Sequence, residues 1–360
     1  MFLAYSIYTL LLIFLLISTF LYNKSSVKNR PFVLFVILGV CSLVLGLRYN
    51  VGTDYMPYKD IYVMQYFDDV ESGYAMMNRI LYWFGLPFSS IFTLVAFLQL
   101  FFFVKGVENI NKKYLPLAIF FYFTTLYFFL SLNVLRQTLA FSIFVFSINY
   151  IRERKLFKYI LTILIASTIH KSALVLLPMY FIINNDWLLK HRILQIGAYF
   201  ATFMFSLFFH DLILNNSNAL FLLVGYGGYA DSVDSITEIS WAKEGGVGIY
   251  FFMMIDLWII WCFSKFKSIS SNKPAICFYN LYFLGVIFAN IIQGTYFDRM
   301  NIYFQHMRII VYAIFFYNLF QHDKSLTNKI LAFAILVIFV IFFYMGIYNK
   351  ASMCAPYQFV

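Results

Sequence analysis

The chain has 360 residues, of which 62% are hydrophobic and only 12% charged. Average soluble domains carry roughly 25% charged residues, so this composition excludes an ordinary soluble enzyme and describes a polytopic membrane protein. The net charge of +10 does not indicate nucleic acid, because the basic residues sit in short loops between apolar runs, where they report topology.

Ten apolar runs predict full spans, at 2–22, 31–47, 87–104, 115–133, 136–151, 193–209, 249–263, 276–292, 302–320 and 330–349. The segment Lys158–Asn184 is different, because His170 and Lys171 interrupt it at its centre. Each half then offers only ~17 Å of helix, too short to cross ~30 Å of hydrocarbon. A broken or re-entrant hairpin with His170-Lys171 at its tip follows, which makes 11–12 helical segments in one all-α transmembrane domain over 1–360. Charge bias supports that threading. Loops 23–30, 105–114, 152–158, 184–192, 264–275 and 321–329 hold 17 of the 26 Lys and Arg residues. By the positive-inside rule these loops are cytoplasmic and both termini face outward. A straight span over 159–183 would reverse every later loop and destroy the asymmetry.

Two outward loops are long, 48–86 and 210–248, and long loops are often functional. The first opens with LRYNVGTDYMPY and holds the acidic cluster Asp68-Asp69-Glu71, either a cation site or a solvated face. The second carries Gly225-Tyr226-Gly227-Gly228, which no strand precedes and which is therefore not a nucleotide cradle. Cys41, Cys262, Cys277 and Cys354 form no CxxC pair, so neither a disulfide framework nor a metal site is expected.

Ionisable residues at span ends mark functional sites by default. Here Arg48 and Asp54, Arg136 and Gln137, His170 and Lys171, and Asp298, Arg299, His306 and Arg308 all fall on the outward side of this threading. Guanidinium groups can bind a pyrophosphate and stabilise its charge as it leaves, doing what a metal does elsewhere. Histidine can take a proton from an attacking hydroxyl. Asp54 could accept a proton or orient a hydroxyl. Gly52 would permit a tight turn, and Tyr55 and Tyr58 could stack on sugar rings. A bland reading stands beside each. Arg48 and Arg79 could snorkel, Arg299 and Arg308 could pair with Asp298 or Asp256 for packing, and His306 reads as a packed residue.

The combination LRYNVGTDYMPYKDIY, NVLRQTLA, LIASTIHKSALVLLPMYF and FDRMNIYF, closing on APYQF, resembles the EpsG/Wzy-type bacterial polysaccharide polymerases over nearly the whole chain. The resemblance implies a metal-independent glycosyltransferase, without a cofactor, in the bacterial cytoplasmic (inner) membrane with its active site facing the periplasm. It would join polyprenyl-pyrophosphate-linked oligosaccharide repeats into O-antigen, capsule or exopolysaccharide. Its fold would be similar to the C-type membrane glycosyltransferases. Its partners would be the lipid-linked repeat, the bilayer and a chain-length regulator, with no nucleic acid. Arg48, Gly52, Asp54, Tyr55, Arg136, His170 and Arg299 occupy the motif positions, while Arg308, Tyr58, Gln137 and Lys171 are added as substrate contacts from their place in the chain. A membrane O-acyltransferase should have a histidine reachable from inside, whereas His170 is expected outside. A lipid-linked oligosaccharide flippase usually shows internal repeats, and none is visible.

Overall fold

The computed structural model of the chain describes residues 1–223, 247–292 and 298–360, and among them there is no β-strand. By internal contacts the chain divides into two compact units, one of Met1–Phe181 with Tyr312–Val360 and the other of Ile182–Val311.

The first unit begins with α1 (Phe2–Lys24), α2 (Arg30–Gly46), α3 (Tyr55–Met64), α4 (Ser72–Trp83) and α5 (Ser89–Asn111). It continues through α6 (Leu115–Thr124), α7 (Tyr127–Ser131), α8 (Leu135–Arg152), α9 (Leu156–Ile169), a 3-10 turn at Lys171–Leu176 and α10 (Met179–Ile182). Pro31 and Pro116 stand in the first turns of α2 and α6, where a missing N–H costs nothing. Some polar side chains inside these apolar helices bond across to a neighbouring helix, which keeps their polar atoms satisfied within protein. Gln99 Nε2 on α5 donates to Leu135 O at 3.1 Å and to Thr138 Oγ1 at 2.7 Å on α8, joining two helices that pack side by side.

The broken hairpin is present. His170 is extended (φ −152°, ψ 116°) and ends α9, after which the chain turns back. Tyr159 Oη at the foot of α9 donates to Leu176 O at 2.5 Å, and its ring lies 5.5 Å from that of Tyr180. In one straight helix, 17 residues would separate positions 159 and 176 by about 26 Å.

The second unit contains α11 (Trp187–Lys190), α12 (Arg192–Leu223), α13 (Val247–Cys262), α14 (Lys267–Ser270), α15 (Lys273–Ile292) and α16 (Asp298–Gln305). Polar groups also join its helices: Asn290 Nδ2 on α15 donates to Thr202 Oγ1 on α12 at 3.1 Å, and Tyr282 Oη donates to the buried Asp256 carboxylate on α13. The first unit resumes in α17 (Arg308–His322), which starts in the second unit, and ends with α18 (Leu326–Tyr348).

Among the described residues, four helical runs are long and apolar enough to cross a membrane, namely α1, Ser89–Thr124, α15 and α18. These four do not confirm the expected count of ten full spans, and several of the other apolar runs are short or interrupted. The run 115–133 breaks at Leu126, which has φ 63°, and the run 302–320 breaks between α16 and α17. Hydropathy cannot register the break at Leu126, which is as apolar as its neighbours, whereas the second break falls at the polar Gln305-His306. The outward loop expected over 48–86 is itself mostly helical, in α3 and α4. The loop expected from 210 starts later, because α12 runs on to Leu223. Its glycine-rich segments at 225–228 and 245–246 lie outside the described residues.

Aromatic residues fill much of the interior. Tyr8, Tyr74, Tyr127, Tyr159, Tyr279, Tyr282, Tyr303 and Tyr312 are all buried. The Phe123 and Phe128 rings stack at 4.2 Å, and Tyr8 meets Phe128, Phe129 and Tyr357 edge-on, each at 5.4 Å.

Candidate functional site

The stretch after α2 is fastened by the C-terminal tail. Tyr49 N donates to Gln358 O at 2.8 Å, Val360 N to Leu47 O at 2.8 Å and Gly52 N to Met353 O at 3.0 Å. Arg48 and Phe359 form an antiparallel bridge. Tyr8 Oη on α1 donates to Cys354 O at 2.6 Å, and Asn133 Nδ2 donates to Ser352 O at 2.9 Å. The closing residues are therefore a strap over the 47–52 turn.

Arg48 is the centre of this knot. Its side chain is buried, and its guanidinium donates to Leu45 O at 2.7 Å, Leu132 O at 2.9 Å and Val51 O at 3.3 Å. It also lies 4.9 Å from the Phe92 ring centroid. With three main-chain carbonyls around it, this arginine ties the turn to the segment leading into α8. It neither snorkels nor faces an open site. Gly52 completes the tie: its φ is 104°, and a Cβ there would stand 2.5 Å from Asn133 Oδ1. Tyr55 is wholly buried and stacks on Phe92 at 4.9 Å, so it is not presented to a sugar ring. Replacing Arg48 by Met is expected to destabilise the protein by ~3 kcal/mol, since buried carbonyls lose charged donors. Thermal melting in detergent measures this, and an unchanged melting temperature would contradict the structural role.

A second cluster holds the groups that can do chemistry. Arg136, the second residue of α8, has its guanidinium 6.0 Å from the Tyr58 ring centroid and 5.9 Å from that of Tyr74. It forms an ion pair with the Glu71 carboxylate at the start of α4. The other Glu71 oxygen accepts the Lys171 backbone N–H at 3.1 Å. One carboxylate thus connects the α8 N-terminus to the hairpin tip. The positive end of the α8 dipole adds to the guanidinium charge, an arrangement suited to an anion.

At the tip, His170 Nδ1 faces Ser172 Oγ at 2.6 Å and accepts from Ser172 N at 3.4 Å, capping the 3-10 turn. In the other tautomer Nδ1–H would instead donate a hydrogen bond to the serine hydroxyl, which would leave Nε2 as a base. His170 is half-buried and Lys171 exposed. Burial raises the Tyr58 and Tyr74 phenols above the ordinary tyrosine range, against the pull of Arg136, so both are neutral donors at physiological pH. Asp54, half-buried at the N-cap of α3, accepts from Thr53 Oγ1 at 3.0 Å and acts electrostatically on the Tyr58 phenol, as Arg136 does.

The first unit therefore brings together Tyr58, Arg136 and the His170-Lys171 tip, with Asp54 beside Tyr58. Gln137 is buried in the first turn of α8. Arg299 and Arg308 belong to the second unit. Arg299 lies on α16 with its side chain outside the described residues, and Arg308 sits 4.9 Å from the Phe252 ring centroid. His306 Nδ1 lies 3.0 Å from Ile302 O one turn earlier, as expected of a packed histidine. Glu71, Tyr74 and Ser172 are the residues that sequence reasoning passed over. Glu71 was visible only as one acid of three. Its distinguishing mark is its place immediately before the helix-starting Ser72-Gly73.

The EpsG family model matches residues 31–359, from the start of α2 to the end of the strap. The chain belongs to the EpsG family. No curated protein and no solved structure matches it significantly. Membership of this family, with the apolar helices described above, suggests a membrane protein with a glycosyltransferase-like, polysaccharide polymerase-type role. The match includes both the strap and the 47–58 turn, so the knot around Arg48 lies within the family's extent.

Proposed function

We propose that this chain joins polyprenyl-pyrophosphate-linked oligosaccharide repeats at the outer face of the cytoplasmic membrane. The growing glycan passes from its carrier to the next lipid-linked repeat. The observation that carries the reading is the Arg136–Glu71–Lys171 tie, which puts an anion-binding guanidinium and a histidine on one cluster in an EpsG-family chain.

In this reading Arg136 holds the carrier pyrophosphate, with the Tyr58 and Tyr74 rings fixing its plane. An acceptor hydroxyl of the incoming repeat attacks the anomeric carbon of the growing glycan. The new C–O bond forms as the bond to pyrophosphate breaks, and polyprenyl pyrophosphate leaves with the electron pair. His170 takes the hydroxyl proton or orients that hydroxyl, and Asp54 is the next candidate base. Electrostatic stabilisation of the leaving group by fixed donors is commonly the largest catalytic contribution, and here it requires no metal. Arg299 and Arg308 keep the phosphate-contact role that their sequence position suggests.

Purified protein supplied with one defined lipid-linked repeat should produce a ladder of longer glycans on a gel. Acylated glycan would indicate an acyltransferase instead, and an unmodified repeat would remove the polymerase reading.

The orientation has its own test. In a variant lacking the four native cysteines, a cysteine at Asp69 should be labelled by an impermeant reagent from outside intact cells, and one at Lys155 should be protected. Both residues are exposed, so access is not limited by packing. The reverse pattern would invert the topology.

A further inference from the structure

We propose that Glu71 is a positioning residue that sets the geometry between Arg136 and the His170-Lys171 tip, and that it does so as a built-in counter-ion working against substrate binding. This rests on the reading of Arg136 as the pyrophosphate contact.

The carboxylate is well placed for the task. Its side chain is only 9% exposed, whereas Asp68 and Asp69 are exposed. One oxygen pairs with Arg136 and the other accepts the Lys171 N–H at 3.1 Å, so its orientation is set from two sides. The helix it begins is clamped to α9: a Cβ at Gly73 would lie 2.3 Å from Thr168 Oγ1 and 2.9 Å from its carbonyl oxygen. Tyr74 is buried beside it, and Asn78 Nδ2 donates to Tyr74 O at 2.8 Å. Loss of the bridge would leave the tip without its bond to the Glu71 carboxylate and Arg136 without that counter-charge.

The same negative charge lowers the potential that Arg136 offers to a phosphate. Positioning and affinity therefore respond to this residue with opposite signs, which damage to the fold would not produce. Two variants separate the contributions. Glu71→Gln keeps the shape and removes the charge. Glu71→Asp keeps the charge and shortens the arm by one methylene, so that it cannot reach both partners.

The experiment measures three quantities on the full-length protein in detergent: inorganic pyrophosphate affinity, hydrogen exchange in the peptide containing Lys171, and kcat and KM with a defined lipid-linked repeat. For Glu71→Gln, pyrophosphate affinity should rise roughly threefold to tenfold, the effect of removing one partly screened charge. Its kcat should fall at least ~10-fold, as expected when a reacting group loses its alignment. For Glu71→Asp, affinity should stay within about twofold of wild type while kcat falls similarly. Exchange at the tip should rise in both.

Weaker pyrophosphate binding in Glu71→Gln would overturn the counter-ion role. Wild-type turnover with raised tip exchange would overturn the positioning role, as would unchanged exchange in both variants. A wild-type protein that makes no ladder would overturn the polymerase reading alone, because pyrophosphate binding and exchange still decide what Glu71 does.

Discussion

His170→Ala is expected to lower polymerisation by ~10²–10⁴-fold, the usual effect of losing a positioned acid–base group, with single repeats accumulating. The imidazole sits where α9 stops and the chain reverses, and its Nδ1 is held by Ser172. Because the ring also caps the 3-10 turn, alanine removes two functions at once. His170→Asn separates them. Asparagine is a good capping residue but cannot shuttle a proton, so it should keep the protein level and melting temperature while activity stays as low as in alanine. Normal ladders in His170→Asn would move the base to Asp54. His306→Ala is the control, since that histidine contacts the carbonyl of its own helix and should leave the rate close to wild type.

Arg136→Lys is expected to fail nearly as badly as Arg136→Ala, with a loss of ~10²–10³ in rate, comparable to removing one oxyanion donor. A lysine could still pair with Glu71. It could not reproduce a planar fork beside the Tyr58 and Tyr74 rings, nor bind two phosphate oxygens at once. The measurement is initial rate with a defined lipid-linked repeat, at equal protein levels after solubilisation. Wild-type turnover in the lysine variant would make the fork geometry irrelevant and remove Arg136 from the pyrophosphate. The same exchange at Arg299 tests the corresponding expectation in the second unit.

By itself the sequence determined the class of protein and its family. The apolar runs reported a helical membrane protein, because a span must bury its own backbone polar groups within one segment. The centre of 158–184 reported a break, because a histidine and a lysine cannot rest in mid-hydrocarbon without a cavity or a partner. The motif order reported the family. Arg136 and His170 were legible as candidates for the same reason, since charged and hydrogen-bonding groups at span ends are costly unless used.

What a residue touches was not legible, and it reversed some roles. Arg48 and Arg136 look alike in the sequence, each an arginine at the edge of an apolar run. Only the fold gives Arg48 three main-chain carbonyls and a C-terminal strap, and gives Arg136 two tyrosine faces and a carboxylate. The strap contacts residues about 300 positions earlier, a pairing that no local periodicity encodes. Glu71 reads as one acid in a solvated cluster until α4 packs on α9 and closes the distance to Lys171 N. The span interruption at Leu126 was invisible for a related reason. Hydropathy measures transfer from water, whereas a break in a helix is decided by the backbone torsions that neighbouring helices impose.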